Sequence, residues 1–190
     1  MRIVSSAFAW VAAICLPAAS AAQEPLARTA ATDGAPRPAP AWDNTSWLNA
    51  DTPLRLDQFR GRVVLLNFWV FTCGNCTRTV PSLVKLDRRY RPEGLTLIGI
   101  HTPEFPPYAG EHDKNNVARE LVRYGITYPN AQDNDRRTWD RYAIRYWPSF
   151  VLIDKRGRIR YEGAGEFHVG DRTYRAWEQR IQALLAERND

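Results

Sequence analysis

The chain has few of the residues that bind metals or staple small folds. Its 190 residues include three cysteines and three histidines. Cys15 lies in an apolar N-terminal run, which leaves Cys73 and Cys76 as the one pair in the rest of the chain. Three positions apart, they cannot tie distant parts of a fold together. A closed zinc site takes four ligands, usually as two spaced pairs. His101, His112 and His168 lack that spacing, so no metal is expected. A membrane-spanning helix needs about 20 apolar residues. The N-terminal run, Ala7 to Leu16, is half that long. The basic residues are scattered (Arg88, Arg89, Arg91; Arg136, Arg137; Lys155, Arg156, Arg158, Arg160) and form no stripe with aromatic platforms, so nucleic-acid binding is not expected. There is no internal repeat.

What is present suits one globular domain. The composition is 44% hydrophobic and 25% charged, enough apolar material for a core without disulfide staples. Arg2, the run to Leu16, the break at Pro17 and the small residues Ala18 to Ala22 follow the order of a secretory signal. Residues 1–22 are therefore read as a signal peptide cleaved near Ala22, with a periplasmic destination. Cleavage removes one base and no acid, so Lys plus Arg falls from 26 to 25 against 21 acids, a net charge of about +4. Residues 23–41, with Pro25, Pro36, Pro38 and Pro40, read as a flexible Ala/Pro-rich linker. The folded domain is expected over 42–187, as a monomer.

Val63 to Trp69 is a continuous apolar run, as in a strand buried on both faces. A helix is expected from Cys73 to about Tyr90, with Leu83 and Leu86 inward. Leu95 to Ile100 reads as a second buried strand, Asn116 to Tyr124 as a helix, Ile126 to Tyr128 as a short strand and Asp135 to Tyr142 as a helix. Phe150 to Ile153 and Ile159 to Glu162 should pair across the turn Asp154-Lys155-Arg156-Gly157. Arg172 to Ala186 carries Trp177, Ile181 and Leu184 or Leu185 on one stripe. Strands alternating with helices, then a hairpin and a helix, indicate an α/β sandwich with a mixed sheet.

The chemistry is concentrated in Asn67-Phe68-Trp69-Val70-Phe71-Thr72-Cys73-Gly74-Asn75-Cys76. A strand delivers Cys73 to the first turn of a helix, where unpaired N–H groups favour negative charge. A thiolate there is stabilised, and thiolate is the species that attacks disulfides. Cys76, three residues on, can reach back to resolve a mixed disulfide. Cys73 is thus the expected nucleophile.

Phe68-Trp69, Cys73-x-x-Cys76 and Pro81 five residues later resemble the thioredoxin superfamily. Trp147-Pro148-Ser149, just before a strand, is similar to that family's cis-proline loop. The longer stretch from Leu95 to Tyr128 is similar to the insertion of the exported TlpA-like branch. Trp47-Leu48-Asn49, Gly99 to Phe105, Ile126 to Pro129, Asp133-Asn134-Asp135 and Tyr146-Trp147-Pro148 resemble more narrowly the thioredoxin-like domain of DipZ proteins. The resemblance covers about residues 42–187.

It implies an α/β, thioredoxin-like three-layer sandwich with a mixed central sheet, a TlpA-like insertion and an N-terminal hairpin extension. It also implies a thiol–disulfide oxidoreductase acting on exported proteins, more as reductant than oxidant. The redox-active disulfide would be its only cofactor, and a DsbD-like membrane reductase its electron donor. Cys73 and Cys76 would be catalytic. Trp69, Gly74, Asn75, Pro81, Trp147 and Pro148 would support them, with a cis Pro148 presenting backbone to a substrate strand. The alternatives are a thiol peroxidase of the same fold and a redox-inactive binding or chaperone module. Residues 69–73 lack the peroxidases' Pro-x-x-x-Thr-x-x-Cys context, and the intact pair argues against the inactive module. The chain departs from its relatives at three places. Asn67 stands where thioredoxin has a buried aspartate, Thr79 where some TlpA-like reductases have glutamate, and Gly74-Asn75 replaces the commoner X-Pro. Glu104 is the acid nominated to take the proton of Cys76.

Overall fold

All seven side chains of β3 (Val63–Trp69) are buried, which places it at the centre of a sheet covered on both faces. The structure is a computed structural model that describes residues 35–106 and 110–188. The signal peptide and most of the linker stretch lie outside the described residues. Among the described residues the sheet has seven strands in the order β1-β7-β6-β3-β4-β5-β2. They are β1 (Arg37–Pro38), β2 (Trp47–Leu48), β3, β4 (Leu95–His101), β5 (Asn130–Gln132), β6 (Ser149–Ile153) and β7 (Arg158–Ala164). β3, β4 and β5 run parallel, while β6 is antiparallel to β3 and to β7, so the sheet is mixed.

Alternation along the strands divides the core in two. Val63, Leu65 and Trp69 join Leu95 and Leu97 beneath α1 (Gly74–Tyr90), α2 (Lys114–Arg123) and α4 (Arg172–Ala186). Those helices contribute Val80, Leu83, Leu86, Val117, Leu121, Trp177, Ile181 and Leu184. Val64, Leu66 and Phe68 point the other way, onto Trp139 and Tyr142 at α3 (Arg137–Arg141) and onto Trp42 and Trp47 of the N-terminal segment. These are the three layers expected. Leu184 is buried and Leu185 only half-buried, which settles which leucine faces inward.

Three expectations need correction. The N-terminal extension is not a hairpin: β1 pairs with β7 at one sheet edge, and β2 pairs with β5 at the other. A two-residue strand gains few backbone bonds from a two-residue partner. Each takes an open edge of the large sheet instead, and the chain between them buries Trp42 against the second core. The sheet also begins before Trp42, because Arg37–Pro38 already pair with β7. The short strand falls at Asn130–Gln132 rather than 126–128. Asn49 Nδ2 donates to the Ile126 and Tyr128 carbonyls, so side-chain bonds take the place of a ladder there.

Candidate active site

The β3–α1 junction forms as its local chemistry requires. Cys73 is the N-cap of α1, with extended backbone, and its Sγ accepts the Cys76 N–H at 3.2 Å. That satisfies one of the amides left open at a helix start. Cys73 and Cys76 are joined as a disulfide with Cα atoms 5.3 Å apart. Cys73 is half-buried, whereas Cys76 is 2% exposed inside the core beneath α1. An incoming sulfur can therefore reach Cys73 more readily than Cys76.

The other nominated residues surround this pair in different ways. Gly74 and Asn75 are exposed. Asn75 Oδ1 accepts from Arg78, whose guanidinium also grips both oxygens of Glu166 at 2.7 and 2.6 Å. Arg78 holds the Glu166 carboxyl below its ordinary range. Pro81 lies inside α1, which continues past it to Tyr90. Trp69 is fully buried, and its indole N–H donates to Asn130 Oδ1 at 2.9 Å. The Trp147–Pro148 peptide bond is cis. Ser149 pairs with Phe68, so the proline comes to the end of β3 from which the chain runs on to Cys73. Gly165 N–H donates to the Pro148 carbonyl at 2.9 Å. Trp147 packs at a tilt against Trp139 with ring centroids 4.1 Å apart, donates to the Thr102 carbonyl at 3.1 Å and lies beneath the Arg136 guanidinium.

Glu104 is exposed. Its backbone, not its carboxylate, is bound to the site: Glu104 N–H donates to Glu111 Oε2 at 2.7 Å, and Phe105 N–H to the same oxygen at 2.8 Å. Glu111 is fully buried, and its Oε1 accepts the hydroxyl of Thr72, the residue before Cys73. Sequence reading missed Glu111. Between Gly110 and His112, before a helix N-cap at Asp113, it carries no motif. Nothing but the fold brings it to residue 72.

Asn67 and Tyr128 are both buried, and the Asn67 side chain faces the Tyr128 hydroxyl. Burial pushes the Tyr128 phenol up. His101, at the end of β4, lies edge-on to Trp69 at 5.3 Å and stacked on Phe71 at 5.4 Å. Both its ring nitrogens are buried without partners, and burial lowers its pKa to about 3. Among the described residues no group of three or more His, Cys, Asp or Glu side chains could hold a metal ion.

A mixed sheet whose central strand feeds a CxxC pair into a helix start, beside a cis-proline loop, defines a thioredoxin-like protein with a disulfide accessible at one sulfur. More particularly, the chain belongs to the AhpC/TSA family, whose family model matches residues 36–162. It is 43% identical over 143 residues to the protein DipZ of Mycobacterium tuberculosis, covering 74% of this chain and 19% of DipZ. It thus spans about a fifth of that relative's length. It is 28% identical over 134 residues to the thiol–disulfide oxidoreductase ResA of Halalkalibacterium halodurans, covering 70% of this chain and 69% of ResA. A solved structure of a thiol:disulfide interchange protein DsbE from Chlorobium tepidum superposes with a TM-score of 0.69 at 21% identity, covering 82% of this chain and all of that one. At that identity the likeness bears on the fold alone. A thiol–disulfide isomerase from Corynebacterium glutamicum gives 0.63 at 25% identity, covering 79% and 98%.

Proposed function

We propose that the chain is a thiol–disulfide oxidoreductase that reduces disulfides of exported proteins. The observation that carries this reading is the asymmetry of the pair: Cys73 caps the helix and is half-buried, while Cys76 is enclosed. In the reduced protein the Cys73 thiolate attacks one sulfur of a substrate disulfide. A Cys73–substrate disulfide forms and the other substrate sulfur leaves as thiolate. Cys76 then loses its proton and attacks Cys73 Sγ. The second substrate sulfur departs, and two electrons have moved from the protein to the substrate. The enzyme ends as the disulfide seen here.

The name of ResA among the similar proteins supports this chemistry, and the N-terminal signal pattern supports a periplasmic setting. Tyr146 and Phe105, large apolar side chains at the surface, suit a protein substrate rather than a small one. We assign the cis-proline loop to substrate docking. A DsbD-like membrane reductase is the proposed donor, because the pair must be reduced again after each turn. The test is insulin reduction driven by dithiothreitol, run beside peroxide consumption. Insulin turnover without peroxide turnover supports the reading. Peroxide turnover alone would make the chain a thiol peroxidase, and neither would make it a redox-inactive module.

A further inference from the structure

The active-site loop carries a buried anion site that the exchange chemistry above leaves without a task. Glu111 is 0% exposed. Its contacts are the Thr72 hydroxyl on one oxygen and the Glu104 and Phe105 amides on the other. All three are donors, which suits a carboxylate that only accepts. Among the described residues no Lys, Arg or His makes an ion pair with it. Arg136, whose side chain reaches the same segment, is directed to the Pro103 carbonyl and to the faces of Trp139 and Trp147.

Two consequences follow from this placement. The Glu111 carboxylate ties three chain segments together: residue 72, residues 104–105, and its own position just ahead of α2. The Cys73 loop is therefore clamped to the loop after β4. The carboxylate also accepts from the side chain of Thr72, the residue that directly precedes the nucleophile Cys73. In a partly buried site such a charge is weakly screened. At an effective dielectric near 20 it biases a nearby ionisation on the order of tenfold.

We propose that Glu111 is a positioning residue of the exchange centre, which fixes the Cys73 loop through Thr72 and whose charge opposes the Cys73 thiolate, holding the pair reducing. The proposal rests on the exchange reading. The direction follows from the half-reaction. Glutathione converts the Cys73–Cys76 disulfide to two thiols with release of one oxidised glutathione, two electrons in all. Whatever stabilises the Cys73 thiolate stabilises the reduced protein and makes the disulfide a stronger oxidant. A neighbouring anion does the reverse.

Glu111→Gln separates charge from shape. The amide oxygen can still accept the two backbone N–H groups, and the amide NH2 can donate to the Thr72 hydroxyl, which also accepts. Thr72→Val separates the tie from the charge. The full chain and each variant are equilibrated in glutathione buffers, and the reduced fraction is read from the mass added by thiol alkylation. Glu111→Gln should shift the equilibrium with glutathione about tenfold toward the reduced protein, ~30 mV. Glu93→Gln, an exposed acid just before β4, should stay within twofold of wild type. Thr72→Val should stay within threefold at equilibrium but slow reduction of insulin severalfold in kcat/KM. An unshifted Glu111→Gln equilibrium in a folded variant overturns the charge role. Should that variant fail to fold, Thr72→Val decides, and wild-type kinetics there overturn the proposal. Glutathione that fails to exchange with the wild type would instead sink the exchange reading itself.

Discussion

The β3–α1 junction and the loop after β4 meet at one end of the sheet, and they are held by opposite means. At the junction the hydrogen bonds of Cys73 itself are local. Cys73 caps a helix three residues from the amide it accepts, its own N–H returns to the Val70 carbonyl, and Thr77 N–H closes on the Cys73 carbonyl. The loop has no such ladder. Its segment 102–106 is pinned by side chains from outside it: Glu111, six or seven residues on, to residues 104 and 105, and from farther along the chain Asp133 to Thr102, Arg136 to Pro103, and Trp147 to Thr102. Short-range contacts survive small displacements of the rest of the fold. The loop's geometry depends on three or four elements keeping their positions together.

The two regions should therefore fail differently when broken. The largest effect belongs to the junction. Cys73→Ser should reduce insulin turnover to background, and Cys76→Ser should do the same while trapping mixed disulfides through Cys73. Non-reducing electrophoresis with a thiol-bearing substrate counts those adducts. If Cys73→Ser traps more than Cys76→Ser, the order of attack is reversed. Cys73→Ser should leave the thermal midpoint of the reduced protein nearly unchanged because Cys73 is only half-buried, whereas Cys76→Ser puts a hydroxyl into the core and should lower it.

The next effect sits beneath both regions. A Cβ on Gly99 would lie 1.9 Å from Asn130 Oδ1 and 3.0 Å from Trp69 Nε1. Gly99→Ala must therefore push Asn130 aside and break its bond with the Trp69 indole. Overpacking of this kind costs about 1–3 kcal/mol, read from urea unfolding. Trp69 starts the junction and its neighbour His101 starts the loop, so kcat/KM for insulin should fall as well. A variant with wild-type stability and turnover would show that the sheet tolerates the shift and that the regions are less coupled than their packing indicates.

The difference in construction also explains what was legible in the sequence. The apolar run at 63–69, the Cys73 pair and the stripe of Trp177, Ile181 and Leu184 are periodic or local, and each marks an element that the structure contains. The pairing of the extension is not legible, because edge pairing is decided by which strands lie open, which a two-residue run cannot encode. Glu104 is suggested by its place just after a strand parallel to β3, whose end faces the active site, while Glu111 has no pattern at all. A buried carboxylate is recognised by its three donors, and these come from residues 72, 104 and 105. Charge placed by topology in this way is invisible to periodicity.

The smallest expected effect separates packing at the loop's start from chemistry at the junction. His101 fills an aromatic slot between Trp69 and Phe71, with both nitrogens unpartnered, and burial lowers its pKa from 6.5 to about 3. In the unfolded chain the imidazole recovers a value near 6.5. Between those values the unfolded state binds a proton that the folded state refuses. Stability is thus full above about pH 6.5 and falls as the pH drops toward 3, with a slope approaching 1.4 kcal/mol per pH unit. From pH 7 to 5.5 the loss from this one group is about 1 kcal/mol. His101→Phe keeps a ring in the slot and removes the titration. Its urea midpoint should fall less than wild type's over that interval, while carboxylates such as Glu166, titrating lower, contribute equally to both proteins. Insulin turnover of the variant at pH 7 should stay within a few fold of wild type, since the neutral ring donates to nothing and accepts from nothing at the site. Equal pH slopes in the two proteins would mean that His101 takes up its proton in the fold, which its closed, unpartnered slot does not favour.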